Sequence, residues 1–505
     1  MTNEASSLYE LMVEELFGRP VSSVLRSLLS VSSVPLNLLV ARTGLPRNQV
    51  RRTLSLLLER GIASCSVNHL GRPVYSCSVD ALEALLHMPR CVLTVKTLYG
   101  EQAEAIVELL SFHGQLTMPQ CVERVADRLE VDRETIKTQF ARLAGSQFVC
   151  RCPELIDDSP RFQTPSDPFL LPDNIGQTSD TSRKRKLQPD ASTVYWRLNY
   201  DKFALYFRDE LLLKMIRNTS NEACQNCENC VKAMLKLSEL KSNPGDANSS
   251  PLPLNDILRY AVKTQLPVTK AILDQSLAYL ADDQYRLVRK VGDSGGGIYA
   301  IDFERASQLM CRSVVESVVR EKFDSKGLRL FRLLLAKGFL EQNTLENLAM
   351  MPSKDCKELL YLLMSEKFVS VKQVSKLSDF VPSKTSFLFH VDLERVARMI
   401  HENCYKTLSN LMLRRKNEVK ENKQLIERQE KEDTLISNIE NDENLDEESK
   451  QQQVAEVQQA FMTDQEKDLL AHHRRALLAL FTTEAQVAHA IFILDLYLQF
   501  KKRPL

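Results

Sequence analysis

The sequence predicts a mainly α-helical protein with small β-wings, built from four tandem winged-helix domains followed by a C-terminal antiparallel coiled coil. Leucine and charged residues dominate the chain, and only 15 glycines and 19 prolines occur in 505 residues, which is typical of helical proteins. A pattern of amphipathic helices followed by two short alternating segments recurs four times, and this is the pattern of a winged helix-turn-helix. After residue 393 the apolar spacing changes to steps compatible with heptads.

The first winged helix is predicted at residues 1–88. Apolar residues at helical spacing lie on both sides of the turn Thr43–Pro46. Gly61 is expected to end the second of these helices as a C-cap. The segments IASCSV and VYSCSV then alternate like strands and are joined by NHLGRP, which predicts the wing.

The second winged helix is predicted at residues 89–152. Two apolar stripes at helical spacing predict two helices, and FVCRC at 148–152 predicts a strand. The charged residues between the apolar positions are expected on the solvated outer faces.

Residues 153–192 predict a disordered linker, because they are rich in Pro, Ser, Asp and Thr and lack a sustained apolar period. Four adjacent cations stand in this segment: Arg183, Lys184, Arg185 and Lys186. Such a cluster suits nuclear import through an acidic receptor groove. The alternative is a solvated cluster that keeps the linker extended.

The third winged helix is predicted at residues 193–308, with an internal loop near 241–253. The segment VYWRLNYDKFALYFRDELLLKMI predicts a long helix with Trp196 near its start, and two helices, a strand, a turn and a strand follow. The turn consists of Gly292, Asp293, Ser294, Gly295, Gly296 and Gly297. Glycine permits the positive φ of a tight turn, and Asp and Ser favour turns. Valine at both Gly295 and Gly296 is therefore expected to misfold the wing.

The fourth winged helix is predicted at residues 309–392, with a helix start at Ser353 or Lys354 after Pro352. From 393 to 505, two long helices are expected on either side of the acidic break NDENLDEESK. That arrangement predicts a helical hairpin. The Arg, Lys and Glu residues around the heptad positions fit a coiled coil.

The charge balance restricts how this chain could bind nucleic acid. It carries 66 basic and 66 acidic residues, so binding has to come from local patches rather than from a whole-protein basic field. The 12 cysteines are mostly scattered, no signal peptide opens the chain, and His489 and Asp495 interrupt the longest apolar block. We therefore expect no membrane span and a soluble intracellular protein with reduced thiols.

Six cations are the candidate nucleic-acid contacts. Three begin the recognition helix of the first domain, a position that reaches base edges or phosphates in helix-turn-helix proteins, and three stand beside the third wing. They are Arg47, Arg51, Arg52, Arg286, Arg289 and Lys290. Leucine-rich helices of this kind often serve protein–protein contact and the net charge is zero, so sequence-specific reading of DNA is disfavoured. Non-specific contact with DNA or single strands is the favoured form of nucleic-acid binding. The alternatives are a solvated face and a protein interface.

Cys224, Cys227 and Cys230 have the spacing C-x2-C-x2-C, which can feed an iron–sulfur cluster. No fourth cysteine lies nearby in the sequence, and in a helix the three residues share roughly one face. A small apolar stripe is therefore the favoured interpretation. No metal site and no cofactor is predicted.

The motif GDSGG also spells the nucleophile motif of chymotrypsin-like serine proteases. A serine nucleophile needs a base within hydrogen-bond reach and an acid that orients the base, and that class of protease has two β-barrels. None of the eight histidines stands in a protease-type motif, and no phosphate-binding loop, dinucleotide fingerprint or HExxH motif is present. Ser294 is therefore expected to be a turn residue, and the chain to be no enzyme by itself.

The order of these parts resembles one family, the winged-helix third subunit of RNA polymerase III, which is the largest member of the polymerase III-specific heterotrimer and is related to transcription factor IIE. The segments TVKTLYG, GQLTM, VADRL and FVCRCP resemble its second domain, and VYWRLNYDKFALYFRDE resembles the start of its second half. LDQSLAYLADD and GDSGGGIYAI resemble its third domain, and MIHENCYKTLSNLMLRRKNEVKENKQLIE resembles the opening of its coiled coil. The spacing CQNCENC departs from the family pattern.

The resemblance implies a non-catalytic nuclear subunit of RNA polymerase III. Such a subunit forms a heterotrimer with two smaller subunits, docks on the clamp of the polymerase core and works with initiation factors. It assists promoter opening for small RNAs such as tRNA and 5S rRNA and can contact single-stranded DNA. No protease role attaches to Gly292–Gly297 in that family. The alternative function is a free-standing winged-helix DNA-binding transcription regulator.

Overall fold

The structure is a computed structural model that describes residues 2–31, 33–68, 71–155, 162–163, 167–171, 194–219, 223–243, 245–264, 269–281, 286–375, 385–440, 453–454, 457 and 463–501. The described residues are mainly helical, and their sheets have two or three strands each, so the prediction of a mainly α protein with small wings is confirmed. The chain divides into two compact units. One comprises Met1–Met12 and Met399–Phe492, and the other comprises Val13–Arg398 and Ile493–Leu505.

The N-terminal region contains the predicted helix–turn–helix and wing. Its elements are α1 (Asn3–Phe17), α2 (Arg19–Leu29), β1 (Val34–Pro35), α3 (Leu36–Thr43), α4 (Arg47–Glu59), β2 (Ala63–Val67) and β3 (Pro73–Cys77). Gly44 at the end of α3 and Gly61 after α4 have φ of 65° and 69°, so both glycines terminate helices in the left-handed conformation. Strand β3 lies between β1 and β2 in an antiparallel sheet.

The second region begins with three helices and ends with a sheet. Its elements are α5 (Val79–Leu86), α6 (Met88–Tyr99), α7 (Glu101–His113), β4 (Leu116–Thr117), α8 (Met118–Leu129), α9 (Arg133–Gly145) and β5 (Val149–Arg151). Two further short strands, β6 (Glu154–Leu155) and β7 (Phe162–Gln163), pair with each other. The prediction of disorder for 153–192 is therefore wrong for these strands, which form their own antiparallel ladder.

The central strand of the second sheet comes from beyond the predicted linker. Strand β8 (Tyr195–Leu198) lies between β4 and β5, with Trp196 opposite both Leu116 and Arg151. The prediction that Trp196 begins a long helix is wrong, and so is the placement of residues 195–198 in the third domain. Burial alternates here, since Tyr195 is 48% exposed while Trp196 is fully buried. A period of two is the pattern of a half-buried strand.

The third region follows β8 directly. Its elements are α10 (Tyr200–Thr219), α11 (Ala223–Ser238), β9 (Leu252–Pro253), α12 (Leu254–Lys263), α13 (Lys270–Ala281), β10 (Val288–Gly292) and β11 (Ile298–Ile301). Strands β10 and β11 form an antiparallel hairpin, and its tip contains a 3-10 turn at Ser294–Gly296. The glycine-rich motif therefore lies at the tip of a wing, as predicted.

Two glycines of this tip have a positive φ. Gly296 has φ 90° and Gly297 has φ 111°, so Gly297 is a restricted position that the sequence expectation did not include. A Cβ on Gly297 would lie 2.8 Å from Cε2 of Tyr299, whereas a Cβ on Gly296 would make an ordinary 3.5 Å contact with Leu254. Both backbone conformation and side-chain space therefore favour glycine at 297.

We expect Gly297→Val to lower the free energy of unfolding of the third region by about 1–3 kcal/mol, because a β-branched residue resists a positive φ. Ser294→Ala, at an exposed position of the same turn, is the control and should change stability by less than about 0.5 kcal/mol. Protease cleavage of the hairpin and denaturant unfolding of the full chain would measure the effect. Equal stability of the two variants would contradict the proposed role of the turn.

The fourth region also combines helices with a hairpin. Its elements are α14 (Phe303–Lys337), α15 (Gln342–Ala349), α16 (Ser353–Ser365), β12 (Ser370–Ser375) and β13 (Thr385–His390). Helix α14 is interrupted at Asp324, whose φ of 56° is not helical. Helix α16 begins at Ser353, as Pro352 predicted.

Long helices form most of the C-terminal region: α17 (Leu393–Glu421), α18 (Lys423–Glu440) and α19 (Asp464–Lys501). The single long helix expected from Leu393 is divided at Asn422. Side-chain contacts join Arg415 to Glu484, Asn422 to His473, and Arg428 to Glu466. As one residue number rises its partner's falls, so α19 runs antiparallel to α17 and α18.

Helix α19 corrects one expectation about membranes. By length and composition alone it could cross a membrane. An 18-residue stretch of it has a mean hydropathy of 1.6, and 22% of that stretch is buried inside the protein. The sequence predicts that His489 and Asp495 interrupt this apolar block, but the helix contains an apolar stretch of membrane-spanning length. A helix that packs its apolar residues on protein has the same composition, and Ile491 and Leu494 of α19 are fully buried.

Candidate nucleic-acid interface

A cleft beside the third wing brings together the three predicted cations of that region. It has a volume of about 620 Å³ and is lined by Ala281, Arg286, Val288, Arg289, Lys290, Asp302 and Arg305. Arg289 and Lys290 extend from β10, and Arg305 lies in the first turn of α14. We call this cavity the third-wing cleft. Its lining contains four cations and one carboxylate, and this excess of positive charge suits an anion.

Each carboxylate oxygen of Asp302 accepts a hydrogen bond from a different residue of the cleft. Its Oδ1 accepts the backbone N–H of Arg305 at 2.9 Å, so Asp302 is the N-cap of α14. Its Oδ2 accepts a hydrogen bond from Nη2 of Arg289 at 2.5 Å. Asp302 is 7% exposed, and a carboxylate with two such donors is fixed in position.

Lys290 is paired with a carboxylate that is exposed to solvent, unlike the buried Asp302. Its Nζ lies 2.5 Å from Oδ1 of Asp293, whose side chain is 89% exposed. The hydrogen bond to Asp293 raises the pKa of Lys290 above its ordinary value, and the same bond lowers the pKa of Asp293. Both groups are therefore charged near neutral pH, and the pair is a solvated surface ion pair.

Arg305 is a cleft residue that the sequence prediction missed. Its Nη1 donates to Oε1 of Gln308 at 2.9 Å, and its Nε is buried without a hydrogen-bond partner among the described residues. A buried N–H group without an acceptor is costly, so an acceptor from a ligand would be stabilised there. The sequence signal was available, because an Asp before an apolar helix is an N-cap and places the residue three positions later beside it.

The other three predicted cations lie elsewhere. Arg47, Arg51 and Arg52 are exposed in the first two turns of α4, and none of them lines the third-wing cleft. Burial raises the pKa of Tyr75 on β3, and the positive charge of Arg51 acts in the opposite direction. Arg51 therefore lies close enough to the first wing to act electrostatically on it.

Ser294 lies in a setting unlike that of a chymotrypsin-like nucleophile. It is exposed in the 3-10 turn of the wing hairpin. In the described part of the chain no sheet has more than three strands, so the two β-barrels of that protease class are not the architecture found here. The residues Gly292 to Gly297 act as a hairpin tip.

The cysteine motif lies on α11. Cys227 and Cys230 are each 1% exposed, and burial raises the pKa of the Cys230 thiol to about 12. The thiolate is the form that binds a metal ion, so this environment favours the apolar stripe over a cluster site. The Cys224 side chain and the basic cluster Arg183–Lys186 lie outside the described residues.

Comparison with known families and proteins links most of the chain to one enzyme. Family models match at residues 7–67 (RNA polymerase III subunit RPC82 helix-turn-helix domain), 170–310 (RNA polymerase III subunit RPC82) and 315–391 (POLR3C, C-terminal winged-helix domain). The third-wing cleft lies within the second match.

Full-length relatives are also found. The chain is 33% identical, over an alignment 539 positions long with gaps, to DNA-directed RNA polymerase III subunit RPC3 of Homo sapiens, and 32% identical over 542 positions to that of Danio rerio, with 99% of each chain covered. It is 26% identical over 250 residues to subunit rpc3 of Dictyostelium discoideum, covering 47% of this chain and 37% of that one.

Proposed function

Since the chain belongs to the family of DNA-directed RNA polymerase III subunit RPC3, we propose that it is a non-catalytic subunit of that polymerase and acts in transcription initiation. The observation that carries the proposal is the extent of the similarity, which covers 99% of this chain and of the human relative. A likeness confined to one helix-turn-helix would suit any DNA-binding protein.

The proposal includes a finer architecture: four tandem winged helices, at 1–88, 89–152 with the strand 195–198, 199–308 and 309–392, and a C-terminal antiparallel coiled coil. Each region has helices followed by a hairpin or small sheet, with residues 195–198 assigned to the second sheet. The antiparallel contacts of α19 with α17 and α18 support the coiled coil. His473 of α19 is 3% exposed and contacts Asn422 between α17 and α18, and a buried polar pair of this kind suits a fixed register.

In this proposal the chain assembles with the clamp region of the polymerase III core, two smaller subunits and the initiation factors. It assists promoter opening for small RNAs such as tRNA and 5S rRNA, and it works in the nucleus. The basic cluster Arg183–Lys186 is proposed as the import signal on its sequence alone. In this proposal the active site for RNA synthesis is supplied by the other subunits of the polymerase.

The third-wing cleft is proposed as a contact for nucleic acid, single strands included. Four cations at one cavity of about 620 Å³ support this assignment in a chain with no net charge, because phosphate attraction depends on local patches. The exposed Arg47, Arg51 and Arg52 of α4 are proposed as a second contact with DNA or with protein.

We expect affinity purification of the tagged full chain from nuclear extract to recover the polymerase III core with two smaller subunits in stoichiometric amounts. Mass spectrometry would identify them, and a tagged unrelated winged-helix protein is the control. Recovery of the chain without the polymerase would contradict the proposal. The alternative of a free-standing regulator requires instead that the purified chain alone select one DNA sequence over others, and the full-length similarity does not favour it.

A further inference from the structure

The third-wing cleft contains two wing cations, and each is held by a carboxylate in a different environment. Arg289 is paired with the buried Asp302, and Lys290 is paired with the exposed Asp293. The side chains of Arg289 and Lys290 are themselves 65% and 52% exposed. Both are therefore accessible to a ligand, but their own partners differ in how easily they move.

Asp302 is anchored by backbone as well as by side-chain contacts. Its N–H donates to the carbonyl of Leu287 at 2.9 Å, and its Oδ1 caps α14 through the N–H of Arg305. The second oxygen, Oδ2, therefore holds the Arg289 guanidinium against a rigid helix end. Among the described residues, Arg289 donates a side-chain hydrogen bond through Nη2 only. The other edge of its guanidinium can therefore donate to an acceptor on a ligand.

Asp293 has no comparable anchor in the described residues. It lies at the exposed wing tip, three residues after Lys290. An ion pair of this kind contributes little and is readily exchanged. A phosphate approaching Lys290 must displace it or tolerate its negative charge.

We propose that the third-wing cleft is a binding site for a nucleic-acid phosphate in which Asp302 is a positioning residue that orients Arg289, while Asp293 competes with the phosphate for Lys290. Arg305 completes the site, since its buried Nε lacks an acceptor among the described residues. This inference rests on the proposed nucleic-acid contact and goes further, because it assigns opposite effects to two aspartates at one cleft.

The opposite effects separate positioning from simple electrostatics. If the aspartates acted only through their charge, removing either would strengthen the binding of an anion. If Asp302 orients Arg289, its removal weakens binding although a negative charge is lost. Asparagine is as good an N-cap as aspartate, so Asp302→Asn keeps the cap of α14 and removes the charged acceptor for Arg289.

The test measures the affinity of the full-length chain for a fluorescent single-stranded oligothymidylate by anisotropy at several salt concentrations. We expect Asp293→Asn to raise the affinity about 2–4-fold, the range of an exposed charge pair. We expect Asp302→Asn to lower it about 3–10-fold and to reduce the salt slope by about 0.7, the value for one lost phosphate contact on a single strand.

Two further variants link the effect to Arg289. Arg289→Ala should weaken binding, and adding Asp302→Asn to it should have no further effect, since the two residues act as one unit. Arg289→Lys keeps the charge but not the planar fork, so a loss of affinity there supports positioning even if Asp302→Asn folds poorly. Circular dichroism of each variant monitors folding.

The outcomes are distinguishable. Stronger binding by Asp302→Asn, equal to that of Asp293→Asn, overturns the positioning role. Unchanged binding by Arg289→Ala and Arg289→Lys overturns the assignment of the cleft while leaving nucleic-acid contact elsewhere, for instance at α4. No binding by the wild-type chain overturns the inference and the proposed nucleic-acid contact together, but co-purification with polymerase III would still support the subunit assignment.

Discussion

Replacement of Trp196 by alanine is expected to lower the free energy of unfolding by about 3–5 kcal/mol, the range for truncation of a large aromatic residue in a core. Trp196 is fully buried on the central strand β8. Its ring lies edge-on to Phe140, with centroids 5.4 Å apart, and the Arg151 guanidinium is 5.7 Å from its centroid. The substitution therefore removes contacts that the central strand makes with helix α9, through Phe140, and with the neighbouring strand β5, through Arg151.

The measurement is denaturant unfolding followed by circular dichroism. Trp196 is the only tryptophan of the chain, so fluorescence reports on this sheet in the wild type but not in the variant. Tyr195→Ala, at the neighbouring position that is 48% exposed, is the matched control and should cost less than about 0.5 kcal/mol. Similar losses for the two variants would refute the assignment of Trp196 to the core of the sheet.

Replacement of Arg415 by methionine is expected to destabilise the C-terminal helices by about 2–3 kcal/mol, less than for a fully buried ion pair because both side chains are partly exposed. Nε of Arg415 donates to Oε1 of Glu484 at 2.8 Å, and each side chain is only 15% exposed. The guanidinium also lies 5.0 Å from the ring centroid of Phe481. Removing one member leaves a partly buried carboxylate without its partner, which costs more than the pair itself contributes.

The double replacement Arg415→Met and Glu484→Met is expected to recover most of that loss, because no unpaired charge is then left. Arg428→Met is the control on the same hairpin. Its side chain is 53% exposed in the pair with Glu466, and loss of a surface pair should cost less than about 1 kcal/mol. Thermal unfolding of the wild type, the two single variants and the double variant would measure these differences in stability. Equal losses of stability for Arg415→Met and Arg428→Met would show that burial of the Arg415–Glu484 pair has no energetic consequence.

Local sequence patterns predicted most elements of the protein correctly. Pro352 placed the start of α16, Gly61 placed the end of α4, and GDSGGG placed the tip of the third wing. These signals depend on φ preferences and on hydrogen bonds within a few residues. They are therefore readable without knowledge of the remaining chain.

Trp196 shows the limit of such patterns. Helical apolar spacing continues from Tyr200 into α10, so the local pattern predicts residues 195–198 as part of the same helix. Their partners at Leu116–Thr117 and Val149–Arg151 are distant in the sequence. The hydrogen bonds and burial available in that sheet override local preference.

The third-wing cleft shows the same limit for a site. Charge and the hairpin pattern identified Arg286, Arg289 and Lys290, but they did not identify Asp302 and Arg305 as members of the same cavity. The roles of the two aspartates depend on burial, since one is 7% exposed and the other is at the open tip. Sequence spacing carries no measure of that burial.

Residue order alone determined the helical class, the small hairpins and the resemblance to a polymerase III subunit, because periodicity, turn chemistry and motif order are local or linear properties. Three-dimensional packing decided which strand completes the second sheet, where α19 lies against α17 and α18, and which carboxylate holds Arg289. These features depend on contacts between residues far apart in the chain. Their energies arise from burial and pairing, which exist only after the chain has folded.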